Sequence, residues 1–223
     1  MRGIAAVRWR TSRLALRAFE EGDEAEFVRV LEVSKERWTP WVPARPEDWS
    51  PRDQFRRELH RSAAGAAEGT HLRLGAFLDD GRLAGLFSLN EIVRGVFQNA
   101  YAGWSVSGDL IGQGLGTEGV RALLEIAFTP FPAGLGLHRV QANIMPANAP
   151  SLRIAEKVGF RREGIAIRYL QIAGVWEDHV TFAVTAEEHE PSSRSPSTAG
   201  EPGSSSRSPS TAEERGPSSR SLP

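Results

Sequence analysis

Apolar and polar residues alternate over residues 14–19, the period-two pattern of a strand with one buried face. The period then lengthens. Phe27, Val30, Leu31, Ser34 and Trp38 fall on one helical stripe, and Asp23 with Glu26 three residues on reads as a capping box. After an irregular Trp-Thr-Pro-Trp-Val-Pro stretch from Trp38, a second helix is predicted from Ser50 as N-cap, Pro51 next and Asp53 at the third position. Residues 72–78 and 83–92 read as a hairpin turning at Asp79-Asp80-Gly81, and residues 97–106 as a further strand. Val120, Leu123, Leu124, Ala127 and Phe128 mark another helix, after which residues 137–144 form a strand apolar enough to be central. Asn148 caps a short helix that Gly159 ends, and residues 168–172 and 177–184 pair about Ala173-Gly174. The order β-α-α-β-β-β-α-β-α-β-β predicts one α/β domain, a mixed sheet with helices on both faces.

Between the fourth predicted strand and its helix lies Gly112-Gln113-Gly114-Leu115-Gly116-Thr117. Alternate glycines permit positive φ and bring bare backbone N–H groups to a helix N-terminus, where partial positive charge gathers. A phosphate is the natural guest; a tight strand-to-helix turn without a ligand is the plain alternative. A dinucleotide-binding turn does not fit, because its final Gly is missing and this turn follows the fourth strand, not the first. Glu118, in the helix's first turn, is expected to stabilise the helix rather than face a phosphate.

The 223 residues suffice to bury a core. With no cysteine, disulfides, thiolate metal sites and Cys nucleophiles are excluded. The five histidines (His60, His71, His138, His179, His189) lack paired ligand spacing, so no metal is expected. No run reaches the length of a membrane span and the first residues lack an apolar signal core, which predicts a cytoplasmic protein with no membrane partner. From Pro191 the composition turns to Ser, Pro, Arg, Gly, Thr and Glu; Ser-Ser-Arg-Ser-Pro-Ser-Thr-Ala begins at Ser192 and again at Ser205. Such a repeat has no apolar residue to bury, and a disordered tail over residues 188–223 is expected. Four Arg and three Glu put residues 191–223 at net +1, leaving −2 for residues 1–190, so net charge gives no case for nucleic-acid binding.

The order of elements, with a glycine turn after the fourth strand, resembles the GNAT superfamily of N-acetyltransferases. Downstream, Leu137-His138-Arg139-Val140, Asn143, Asn148-Ala-Pro-Ser151 and Glu156-Lys157-Val-Gly159-Phe160 look like its RimJ/RimL branch, which acetylates ribosomal-protein N-termini. So do Val93-Arg94-Gly95-Val96-Phe97, Tyr169-Leu170 and Gly174-Val-Trp176-Glu-Asp178-His179, a set closest to the RimJ type. The resemblance spans roughly residues 10–187. One departure is Ile111, where the superfamily often has Gln or Arg; the Rim branch tolerates an apolar residue there.

The resemblance implies the acyl-CoA N-acyltransferase fold over residues 13–187, after a 1–12 extension, with the fourth and fifth strands splayed. It implies acetyl-CoA as co-substrate and no metal. Gly112, Gln113, Gly114, Leu115, Gly116 and Thr117 would hold the pyrophosphate. The backbone of Trp104, Ser105 and Val106 would face the pantetheine arm and thioester, with Asn143 at the splay. Asn148 and Ser151 would lie beside the sulfur, Ser151 as the acid that protonates the thiolate, although Asn148 is also a good N-cap. Glu91 is the candidate base, and Asn90, Tyr169 and Asp178 are candidates for the acceptor side. Trp176 belongs to the same hairpin, and the Trp38–Trp49 segment is the expected acceptor loop.

An α-amine of pKa about 8 is roughly a tenth neutral at pH 7, far more than a lysine near 10.4, so a missing strong base suits α-amines. The expected reaction is direct acetyl transfer to a protein N-terminus beginning with Ala or Ser, by a monomer or homodimer. A small amine or antibiotic acceptor, or a low-turnover acyl-CoA-binding or ribosome-assembly module, are the alternatives.

Overall fold

The computed structural model describes residues 7–46 and 48–189. Residues 1–6 and the repetitive tail expected from residue 191 lie outside the described residues. Strands are β1 (Arg8–Arg10), β2 (Ala15–Arg17), β3 (Leu72–Phe77), β4 (Leu83–Val93), β5 (Asn99–Val106), β6 (Arg139–Ile144), β7 (Arg161–Ile172) and β8 (Val175–Thr185). Helices are α1 (Glu24–Val33), α2 (Lys35–Trp38), α3 (Pro51–Glu68), α4 (Leu115–Phe128) and α5 (Ala149–Lys157). The strands form one sheet ordered β1-β2-β3-β4-β5-β6-β8-β7, antiparallel except at the β5–β6 pair. This is the mixed sheet with helices on both faces that the sequence predicts.

Strand alternation sorts the core between the two faces. On one, Leu72, Leu74 and Ala76 of β3 and Val140, Ala142 and Ile144 of β6 join Val120, Leu123, Leu124 and Ala127 of α4. On the other, Phe77 of β3 meets Phe19, Phe27, Val30, Leu31 and Phe55 under α1 and α3. Phe19 sits edge-on to Phe27 at 5.3 Å and to Phe55 at 6.2 Å, the geometry that suits aromatic quadrupoles. The α3 start follows its signal: Ser50 Oγ accepts from the Asp53 N–H at 3.1 Å, and Gly69 closes the helix at φ 73°.

Three elements differ from the sequence reading. A short β1 precedes the first predicted strand, so the sheet begins before residue 13, the expected domain start; the predicted fourth and fifth strands are β5 and β6. The capping box sits three residues early, because Asp23 adopts helical dihedrals and its carboxylate takes the Glu20 N–H at 2.8 Å and Arg17 at 2.7 Å. Glu26 reaches across to the Leu83 N–H at 3.0 Å instead. Finally, β7 starts at Arg161 rather than residue 168. It is an edge strand, exposed along most of its length, so burial imposes no period-two pattern.

The β5–β6 contact positions everything that follows. Their parallel pairing covers only Asn99–Tyr101 against Arg139–Gln141. Beyond it β5 stays with β4 as far as Gly85↔Val106, while β6 stays with β8 as far as Ile144↔Val180. Each strand is committed on its outer side, and the two part. Helix α4 packs on β4 at Gly119, where an added Cβ would lie 2.1 Å from the Phe87 ring. Gly119→Ala is therefore expected to destabilise the fold by about 1–3 kcal/mol despite its better helix propensity, measured by urea unfolding.

Candidate active site

The glycine turn takes its shape from residues that must be glycine. Gly112 and Gly114 have φ of 78° and 80°, in the left-handed region. Gly114 is the N-cap of α4 and offers no side chain to the first-turn N–H groups. Gly116 is buried; a Cβ there would lie 2.8 Å from Ile154 Cδ1 and 3.1 Å from Val106 Cγ2, so its absence lets α4 press against α5 and β5. Gly112 has open space around it. The turn is a concave array of backbone donors at a helix N-terminus.

Glu118 points back from α4 to the N-terminal segment. Its carboxylate accepts from Thr11 Oγ1 at 2.5 Å, Ser12 Oγ at 3.1 Å, the Arg13 N–H at 3.0 Å and Arg13 Nε at 2.7 Å. Partial burial works against its charged form, but the hydrogen bonds from Thr11, Arg13 and Ser12 outweigh it and hold the carboxyl below the usual range.

The splay exposes one edge of β5. The Ser107 N–H donates to the Ala84 carbonyl at 2.8 Å. Antiparallel alternation then turns the backbone groups of odd-numbered residues of β5 toward β4. The Ala102 N–H closes the parallel ladder at the Tyr101↔Gln141 pair, and the Ala102 carbonyl, Trp104 and Val106 face the opening. Trp38 Nε1 takes the Val106 carbonyl at 3.0 Å, and the fully buried Ser34 accepts from the Gly108 N–H at 2.9 Å. These bonds fasten α1 and α2 to the lip of the opening. Trp104 stacks at 6.5 Å from Phe160, and its buried Nε1 has no hydrogen-bond partner among the described residues.

Helix α5 brings a second N-terminus to the opposite lip. Asn148 Oδ1 accepts from the Ser151 N–H at 3.2 Å, a true N-cap, and Pro150 occupies the first turn. The Ser151 hydroxyl makes no hydrogen bond to a described residue.

These parts line one cleft of about 880 Å³, which gathers Trp104, Ser105, Val106, Gly112, Gly114, Leu115, Gly116, Thr117, Asn143, Asn148 and Ser151. Gln113 is exposed and is not part of the lining; its carbonyl accepts from Arg13 Nη1 at 2.9 Å. Trp38 and Trp41, from the segment expected as the acceptor loop, also line the cleft, as do Arg37, Arg153 and Lys157, which the sequence reading did not assign to it. The i, i+4 spacing of Arg153 and Lys157 on the capped helix was the available signal. Together the cleft offers two helix N-termini, three cations and an unpaired strand edge, which suits an extended ligand carrying phosphates.

The four residues expected on the acceptor side and as base fall outside the lining. Tyr169 is closest: its hydroxyl accepts from Asn143 Nδ2 at 3.3 Å, and its ring lies 5.8 Å from that of His179, which is buried and lines the cleft. Burial, then Tyr101 and the charge of Glu91, push the Tyr169 phenol up from its ordinary range. Glu91 is exposed on an irregular stretch of β4 with φ 49°. Asn90 spends its amide on Ser88 Oγ at 3.0 Å and the Tyr101 carbonyl at 3.4 Å. Asp178 accepts from the Arg168 N–H at 2.8 Å, supporting a β7 irregularity where Arg168 has φ 48°. Among the described residues no group of three or more His, Asp or Glu could hold a metal ion, and no helix is long and apolar enough to cross a membrane.

The family model described as an acetyltransferase (GNAT) domain matches residues 13–161. The chain is 32% identical over 176 residues to the probable N-acetyltransferase YjcK of Bacillus subtilis, covering 78% of this chain and 95% of the relative. It is 29% identical over 195 residues to the [ribosomal protein uS5]-alanine N-acetyltransferase of Escherichia coli, covering 84% and 95%. Among solved structures, Mycobacterium smegmatis RimJ in complex with CoA-disulfide superposes with a TM-score of 0.76 at 27% identity, over 84% of this chain and 91% of that one.

The Asn148 cap generates a test that needs no ligand. Asn148→Ala is expected to cost about 1 kcal/mol in urea unfolding, whereas Asn148→Asp, an equally good N-cap, keeps stability near that of the parent.

Proposed function

The chain belongs to the GNAT acetyltransferase family, within its RimJ/RimL type, and we propose that it carries acetyl from acetyl-CoA to the N-terminal α-amine of a protein. The acceptor is a chain beginning with alanine or serine, ribosomal proteins among them. The observation that carries this reading is the unpaired edge of β5 lying between the N-termini of α4 and α5.

Three features of the cleft fit CoA. The glycine turn leaves the approach to its N–H groups clear at Gly112, which suits a pyrophosphate. The open edge, from the Ala102 carbonyl through Trp104 to Val106, has hydrogen-bonding groups for the amides of a pantetheine arm, apart from the carbonyl that Trp38 takes. The orphaned Trp104 Nε1 is a buried donor for which a ligand offers an acceptor. Acetyl-CoA, when bound, supplies the thioester whose acetyl group is transferred.

The chain's own residues divide the remaining work. The backbone N–H groups of Trp104 and Val106 point into the opening, where fixed donors stabilise charge developing on a carbonyl oxygen. Ser151, whose hydroxyl makes no hydrogen bond among the described residues, donates the proton that a departing thiolate needs. On the acceptor side, Tyr169 reaches the cleft through Asn143 and orients the amine, and Glu91 beside it accepts the amine's proton through water. Glu91 stands outside the lining, and the α-amine tolerates this because roughly a tenth of it is already neutral at pH 7. Asp178 and Asn90 shape the wall that the acceptor meets.

Free-thiol release from acetyl-CoA by the full chain tests this reading. Peptides with free Ala or Ser termini are expected to turn over, and the same peptides with acetylated termini are not, whatever internal lysines they carry. Turnover confined to polyamines or aminoglycosides would contradict the acceptor assignment. Ser151→Ala is expected to lower kcat by about 100-fold while CoA affinity is nearly kept; an unchanged kcat would remove Ser151 as the acid.

A further inference from the structure

Arg13 does not line the cleft, yet its guanidinium reaches the glycine turn from outside. Nη1 donates to the Gln113 carbonyl at 2.9 Å, while Nε and Nη2 engage Glu118 Oε2 at 2.7 and 2.6 Å. Nη2 would also lie 3.5 Å from a Cβ built on Gly114. Glu118 is itself held in place by Thr11, Ser12 and the Arg13 N–H, and its side chain is 15% exposed. One planar fork thus links helix α4, the N-terminal segment and the middle of the turn.

The linked peptide is the one that most needs fixing. Gln113 stands between two glycines with positive φ, and residues without a Cβ offer little resistance to a rotation of the plane between them. In a trans peptide the carbonyl and the following N–H point in opposite directions. A Gln113 carbonyl drawn toward Arg13 therefore turns the Gly114 N–H away from Arg13. Because Gly114 lines the cleft and Arg13 does not, that is toward the cleft.

We propose that Arg13 is a positioning residue for the phosphate-binding turn, clamped by Glu118 and holding the Gln113–Gly114 plane so that the Gly114 N–H faces the coenzyme. The inference rests on the acetyl-CoA reading above. Its action is geometric, since the charge of Arg13 is already balanced by Glu118. Lysine cannot replace it, because a single ammonium does not reach both Glu118 and the Gln113 carbonyl in the fork arrangement.

The test compares Arg13→Ala, Arg13→Lys and, as a control on the same segment, Arg10→Ala, whose exposed partner is Asp79 at 3.1 Å. Arg13→Ala is expected to raise the acetyl-CoA KM by about 10-fold, with kcat at saturating acetyl-CoA within about 2-fold and the amine KM unchanged. Arg13→Lys is expected to recover little of this, and Arg10→Ala to match the parent. In the free protein, the Gly114 amide resonance is expected to shift in Arg13→Ala and to stay put in Arg10→Ala. A lower melting temperature with an unchanged acetyl-CoA KM would overturn the proposal, leaving Arg13 as an anchor of the N-terminal segment alone. Full recovery by Arg13→Lys would overturn it in favour of a point charge. Should the parent chain bind no CoA, the coenzyme reading falls, and a Gly114 resonance unmoved by Arg13→Ala would separately overturn the peptide-plane claim.

Discussion

Two neighbouring strands that stop pairing after three residues are the constraint on which this molecule depends. Strand β5 is bonded to β4, and β6 to β8, beyond the point where they leave each other, so the gap is built from strand commitments on either side. A sheet interior cannot leave backbone donors and acceptors facing a void without cost, since each unpaired buried group forfeits a hydrogen bond that water would have given it. The opening is therefore a place where a guest with amide-like spacing gains what the sheet has forgone. Trp38 and Ser34 stabilise the lip by taking the Val106 carbonyl and the Gly108 N–H, which ties the α1–α2 segment to the width of the gap.

The two cores hold that geometry from opposite faces. The larger one grips α4 and α5 so that both N-termini reach the opening, with Gly116 and Gly119 allowing the close approach. The aromatic cluster around Phe19, Phe27 and Phe55 holds α1 and α3, and through them Trp38 and Trp41, at the wall of the cleft. Fold and chemistry meet in the same few contacts. A substitution in either core can therefore reach catalysis through the width of the gap.

What could be read from the sequence was local. Gly112, Gly114 and Gly116 announced a turn, Ser50 and Asn148 announced caps, and the periodic apolar residues of α4 announced a buried helix, because each signal depends on neighbours in the chain. The cofactor-side residues largely line one cleft, since the turn, β5 and α5 carry such local signals. Signals that depend on distant partners were not legible. The bond between Arg13 and Gln113 spans a hundred residues, and Asp23 is recruited by Arg17 instead of capping α1. Edge strand β7 lacks the one-sided burial that gives a strand its pattern. On the acceptor side, Asp178 and Asn90 look like substrate contacts by residue type, but in the fold they hydrogen-bond to their own sheet.

The central claim is that the edge of β5 is open in the free protein and is completed by the coenzyme. Amide hydrogen exchange at Trp104 and Val106, with and without CoA, measures it directly. Fast exchange is expected at these two positions in the free chain, slow exchange at their β4-facing neighbours Gly103 and Ser105, and protection of the open edge when CoA is added. Slow exchange at all four without CoA, or no change on adding it, would contradict it.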